Sequence, residues 1–242
     1  MFAAIFTFAL IAGHVAAEIP SYIHVCGRRD PNLDECIANN IDNLKGKLCD
    51  GIPELGVPSA NPYFLDKLAI SDTPNAKIYI RDAKITGMCD FVVKYLHTDL
   101  DKLHYDIELL FNRIQVNTTY DFNIRLLVPI AYKGLVYITL DNIQAKVDLD
   151  MNLATRDGRK YTYISKMKVN LDLKNYNTTF DLNGSELGQL HEIVNSFVGN
   201  NQEEIFKILK PVLEETISKR VILISNDIVK LFTYEELFPD RT

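Results

Sequence analysis

Tryptophan is absent from this 242-residue chain, and cysteine occurs only four times. Without Trp there is no indole platform for stacking sugars, and twelve Tyr and twelve Phe supply all the aromatic surface. The four cysteines form no CxxC and no Cys/His cluster, so neither metal nor cofactor is expected. No basic run exists either: the formal charge is −6, with Lys and Arg scattered. That excludes the electrostatic footprint of a nucleic-acid binder and the polybasic hold on anionic lipid. Catalytic signatures are missing as well. There is no GxSxG, since Ser185 in "DLNGSELGQL" lacks the second glycine, no HExxH and no glycine-rich phosphate loop. His24, His97, His104 and His191 read as solvated or hydrogen-bonded side chains, so the chain is not read as an enzyme.

One long apolar run is present, and it stands first. "MFAAIFTFALIAGHVAA" carries no charged side chain and ends in small residues, with Val15 and Ala17 at the −3 and −1 positions of a signal-peptidase site. Residues 1–17 are read as a cleaved leader and 18–242 as one secreted domain; a membrane anchor is the rival, but a span needs about 20 residues. No second run of that kind follows, because "VILI" at 221–224 is flanked by Lys219, Arg220 and Asp227. Integral membrane association is therefore not expected, and the domain is read as a monomer. Secretion favours disulfides. In "VCGRRDPNLDEC" Cys26 and Cys36 lie ten positions apart, and closing that loop constrains the unfolded chain by about 2–3 kcal/mol. Four cysteines allow three connectivities, which sequence cannot choose among. A local Cys26–Cys36 bond leaves Cys49 and Cys89 to each other or as buried thiols. "NTT" at Asn117, "NTT" at Asn177 and "NGS" at Asn183 are N-glycosylation acceptors in polar, turn-like stretches.

With 47% apolar residues, the chain can bury a sizeable core. Asp30-Pro31 reads as an N-cap and N1 proline, followed by Leu33, Ile37, Ile41, Leu44 and Leu48 at helical spacing. From Ile78 to Leu173 the period is two. Tyr120, Phe122, Ile124, Leu126, Val128 and Ile130 share one face of a strand; Tyr161, Tyr163, Met167, Val169, Leu171 and Leu173 share another. The runs span about 12 residues, twice the usual length. "RDGRK" carries an Asp-Gly hairpin signal. Two runs change phase, Tyr105–Phe111 giving way to Ile114 and Val116, and Val136–Leu140 to Ile143 and Val147, which predicts β-bulges and a bent sheet. Leu187, Leu190, Val194, Phe197 and Val198 predict a helix over 185–198. A series from Ile205 to Phe232 predicts a long one over 202–232, kinked at Pro211. The fold class is thus α+β, a strongly curved antiparallel sheet wrapped around a long C-terminal helix.

"CGRRDPNLDECI", "GIPELGVPSANP", "ITGMCDFVV", "VPIAYKG" and "LFTYEELFPD" follow one another in the order of the takeout and haemolymph juvenile-hormone-binding family, which the chain resembles over nearly its whole mature length. The resemblance implies an α-wrap, tubular lipid-binding fold around a hydrophobic tunnel and carriage of a small lipophilic ligand, terpenoid or fatty-acid-like. It also implies clock-linked, feeding or behavioural roles in some insect members. It matches Cys26 and Cys36 to the family's N-terminal disulfide. Hormone carriers of the family have a later disulfide, whereas no cysteine follows Cys89 here, which places the chain nearer the takeout branch. Val128, Val136, Ile138, Met167 and Val169 from the sheet, with Phe197 and Phe206 from the helices, are the candidate lining of that interior. Two other readings stand beside the carrier: a secreted protein acting through its surface with a solid core, and a secreted hydrolase.

Overall fold

The computed structural model describes residues 18–125, 129–173, 175–181 and 202–242. The leader at 1–17, the helical pattern at 185–198, and Val128, Asn183 and Phe197 lie outside the described residues.

Helix α1, Leu33–Asp50, carries Asp34 and Glu35 in its first turn, where the helix dipole favours them. Its N-cap is Asn32 and not Asp30. The Asp30 carboxylate instead accepts from the Asn32 N–H at 2.8 Å, so the Asp-Pro pair forms a turn ahead of the helix. Cys26 is bonded to Cys36 in the first turn of α1, and Cys49 at its far end to Cys89.

Among the described residues seven antiparallel strands form one sheet: β1 Tyr63–Asp72, β2 Ala76–Thr86, β3 Phe91–Asp99, β4 His104–Arg125, β5 Pro129–Arg156, β6 Arg159–Asp172 and β7 Asn175–Asp181. Its spine is the hairpin of β4 and β5, 22 and 28 residues long, about twice the runs read from the alternation. The phase changes do not end the strands. Phe111 pairs with Ile143 and Arg113 with Asp141, so the register runs unbroken across Asn112 and Asn142, the latter at φ 54°. The expected β-bulges are not at these phase changes. Both strands change phase at the same point, so apolar residues stay on one face and each strand continues. The register shifts fall instead in the β1–β2, β2–β4, β3–β4 and β5–β6 pairs. A second difference lies beyond Arg125: it pairs with Pro129, and Ile130 belongs to β5, not to the face of β4.

The spine is flanked by broken strands. β3 pairs with the first half of β4 and β2 with its second half; β6 pairs with the second half of β5 and β7 with its first half. The break between β2 and β3 is made by Gly87 at φ 88°, where a Cβ would stand 2.2 Å from the Arg113 carbonyl oxygen. Cys89 sits in that break, so its disulfide ties the far end of α1 to the sheet between β2 and β3. Asp157 and Gly158, at φ 51° and 74°, make the two-residue turn between β5 and β6.

Helix α2, Gln202–Val229, contains Pro211 and lies along β6. Its 28 residues extend about 42 Å, close to the roughly 46 Å of the 14-residue β6. It stops three residues short of the sequence pattern. Phe232 leaves the helix to pack, at 2% exposure, with Ile52 and Leu55. Thr233 then opens α3, Tyr234–Leu237, through a capping box with Glu236. The chain ends zip together: the Arg28 and Arg29 N–H groups donate to the Pro239 and Arg241 carbonyls at 3.0 and 3.1 Å, and Arg28 pairs with Glu235 and Asp240. Among the described residues no helix is long and apolar enough to cross a membrane.

Candidate ligand-binding interior

An edge strand exposes a row of unpaired backbone groups. On β6 these groups are met by side chains of α2. Asn226 accepts from the Ile164 N–H at 2.7 Å and donates to its carbonyl at 3.1 Å, and the Glu214 carboxylate accepts from the Leu171 N–H at 2.7 Å. The same helix reaches the opposite edge of the sheet, where Arg220 Nε donates to the Tyr63 hydroxyl on β1 at 3.2 Å. One helix thus reaches both ends of the strand order, packing along β6 and touching β1 through Arg220.

The face turned inward is apolar along its length. Near the β5–β6 turn, Tyr105, Met151 and Ile164 form a buried cluster, packed against Leu149 and Met167 of the sheet, Ile222 and Val229 of α2, and Phe238. The Tyr105 hydroxyl is buried without a hydrogen-bond partner, and burial pushes its pKa up. Toward the opposite end of the spine, Tyr120 meets Phe180 edge-on at 5.3 Å and lies 5.7 Å from Tyr132, with Phe122 beside both. Gly134 makes room for that ring, since a Cβ there would stand 2.7 Å from the Tyr120 hydroxyl. Burial raises the pKa of this hydroxyl also.

Five of the seven candidate lining residues fall among the described residues. Val136 pairs with Thr118 and Phe180, and Ile138 with Val116 and Thr178, beside the aromatic cluster. Met167 and Val169 pair with Leu149 and Val147 at the other end. Phe206 is half-buried on α2. At 3% and 5% exposure Val136 and Val169 are close-packed, while Ile138, Met167 and Phe206 keep accessible surface. Sequence reading missed Tyr105, Ile164 and Phe180 as members of this interior. Tyr105 stood at the head of an alternating run, whereas nothing local marked Phe180.

The outward face carries charge. Around a cleft of about 340 Å³ lined by Asp106, Glu108, Lys146, Asp148 and Lys168, His104 lies 2.7 Å from Asp150 through Nδ1 and 3.4 Å from Asp106 through Nε2. His104, Asp148 and Asp150 offer three donor atoms within 4.8 Å of one another, a spacing that suits a metal ion. His104 and Asp150 are 46 positions apart in sequence, brought together by the pairing of β4 with β5, so no motif could announce them. The neighbouring carboxylates, Asp150 first, hold the His104 pKa above its usual value.

A long helix closing a strongly curved antiparallel sheet over an apolar face defines a wrap-type binding fold. The family model described as haemolymph juvenile hormone binding protein matches residues 2–239, and the chain belongs to that family, one of binding proteins and not of enzymes. The crystal structure of Epiphyas postvittana Takeout 1 is similar at 21% identity and a TM-score of 0.68, covering 85% of this chain and 95% of that one. The crystal structure of a lipopolysaccharide binding protein aligns with a TM-score of 0.40 at 14% identity, over 82% of this chain and 40% of that one. No curated protein matches the chain.

Proposed function

We propose that the protein is a secreted, monomeric carrier of a small lipophilic ligand, terpenoid or fatty-acid-like, held between the inner face of the sheet and helix α2. The observation that carries the reading is the make-up of that inner face. From Tyr105 to Phe180 its described side chains are aliphatic or aromatic, with hydroxyls as the only polar groups. Such a surface recognises by apolar burial, worth about 25 cal/mol per Å², and selects weakly among ligands of similar size. Membership of a family described by hormone binding, and a fold like that of Takeout 1, support the same reading. A place in circadian, feeding or behavioural regulation follows from the family resemblance alone.

The test is native mass spectrometry of protein purified from secreting cells, with extraction of the lipid that travels with it, followed by titration with a fluorescent fatty-acid analogue. A carrier yields one saturable site whose affinity changes little with salt, because the inner face presents no charge. Failure of the analogue and of terpenoid competitors to bind would overturn the reading in favour of a surface-acting protein with a filled core.

A further inference from the structure

The alternation that sends Thr118 and Val136 inward sends Asn117, Leu135 and Tyr137 outward. Asn117 and Tyr137 are directly paired across β4 and β5, and Leu135 is paired with Thr119, the third residue of the Asn117 acceptor. On the other side Tyr137 pairs with Thr179, the third residue of the Asn177 acceptor on β7. Both asparagines are exposed. They lie on strands and not in the turns that their polar surroundings suggested. Between them Leu135 and Tyr137 are 46% and 43% exposed, an apolar pair rimmed by threonines and facing water. Apolar surface rimmed by polar groups marks an interaction site.

We propose that Asn117 and Asn177 carry N-linked oligosaccharides and that the Asn117 sugar lies over Leu135 and Tyr137. Attachment forms a bond from the Asn side-chain nitrogen to C1 of the first N-acetylglucosamine and breaks the bond from that carbon to the diphosphate of a lipid-linked donor. The lipid diphosphate leaves and takes up the amide proton. Because this happens while the chain is still entering the secretory lumen, a later position within a strand does not block it. In the folded protein the side chain of Asn117 leaves the sheet beside the Tyr137 ring, and the apolar C–H face of the first sugar stacks on that ring. The outer face around β5 is then a glycan-covered surface closed to protein partners. This proposal rests on entry of the chain into the secretory pathway and is independent of the ligand.

The full chain is expressed with its own N-terminus in an insect-cell line, and the protein in the medium is treated with peptide N-glycosidase F, which leaves aspartate at each position that bore a sugar. Peptide mass spectrometry should place aspartate at 117 and 177. Binding of an anilinonaphthalene sulfonate dye should rise several-fold after deglycosylation of the wild type, and should not rise in Tyr137→Ser. An unmodified Asn117 in secreted protein overturns the proposal, as does a chain that stays in the cytosol. Glycosylated protein whose dye binding ignores sugar removal overturns the stacking, and a dimer buried on an unmodified Asn117 face assigns the patch to a second copy. If Asn117→Gln fails to fold, enzymatic deglycosylation of the folded protein still decides.

Discussion

Asn226 on α2 bonds both backbone groups of Ile164 on β6, through N–H and carbonyl at 2.7 and 3.1 Å. A side-chain amide here takes the place of a neighbouring strand. One donor and one acceptor, set as a peptide sets them, close the sheet edge without adding a strand to it.

Asn226→Ala therefore leaves an N–H and a carbonyl without partners in a part-buried setting. The expected loss is about 1–3 kcal/mol in denaturant unfolding. Amide exchange at Ile164 should accelerate relative to Val147 in the neighbouring strand. Equal protection at Ile164 in both proteins would show that the edge does not depend on the helix.

Cys26→Ser removes the bond that anchors residues 18–30 to the first turn of α1. Loss of a native disulfide of this kind costs about 2–5 kcal/mol. Secreted yield should fall, and the Arg28 contacts with Glu235 and Asp240 should loosen with it. Free thiols at both Cys26 and Cys36 in mature wild-type protein would contradict this.

Substitutions at two lining positions separate packed interior from ligand space. Val169 is close-packed, so Val169→Phe should cost about 1–3 kcal/mol through overpacking. Ile138 keeps accessible surface, so Ile138→Phe should melt near the wild type while weakening binding of the fluorescent fatty acid. The reverse order of the two melting shifts would place the free volume at Val169.

His104 supplies a pH test. Its folded pKa is raised by Asp150, so the bond stabilises the protein fully below the unfolded value of about 6.5 and the contribution is lost as pH rises through the higher folded value. For a partly exposed pair the effect is about 1 kcal/mol or less. The stability gap between wild type and His104→Asn should be widest in mild acid and close in mild alkali. A gap that widened toward alkaline pH would refute the protonated-histidine assignment.

What the sequence determined by itself is local. Side-chain alternation fixes which residues of β4 and β5 face inward, and the change of parity after Phe111 and Leu140 marks where the two strands switch phase together with their register unbroken. The helical spacing from Ile205 onward likewise fixes α2. Tertiary structure decided the rest. Alternation shows phase but not where a strand ends, so it could not reveal that β2 and β3 share β4, or that α2 would stop at Val229 to bury Phe232. Nor could it pair Asn226 with Ile164, His104 with Asp150, or Tyr120 with Phe180. Each of these contacts joins residues 46 to 62 positions apart. Their partners are set by register across the long hairpin and by the curl that brings both edges to one helix, which no short stretch of chain encodes.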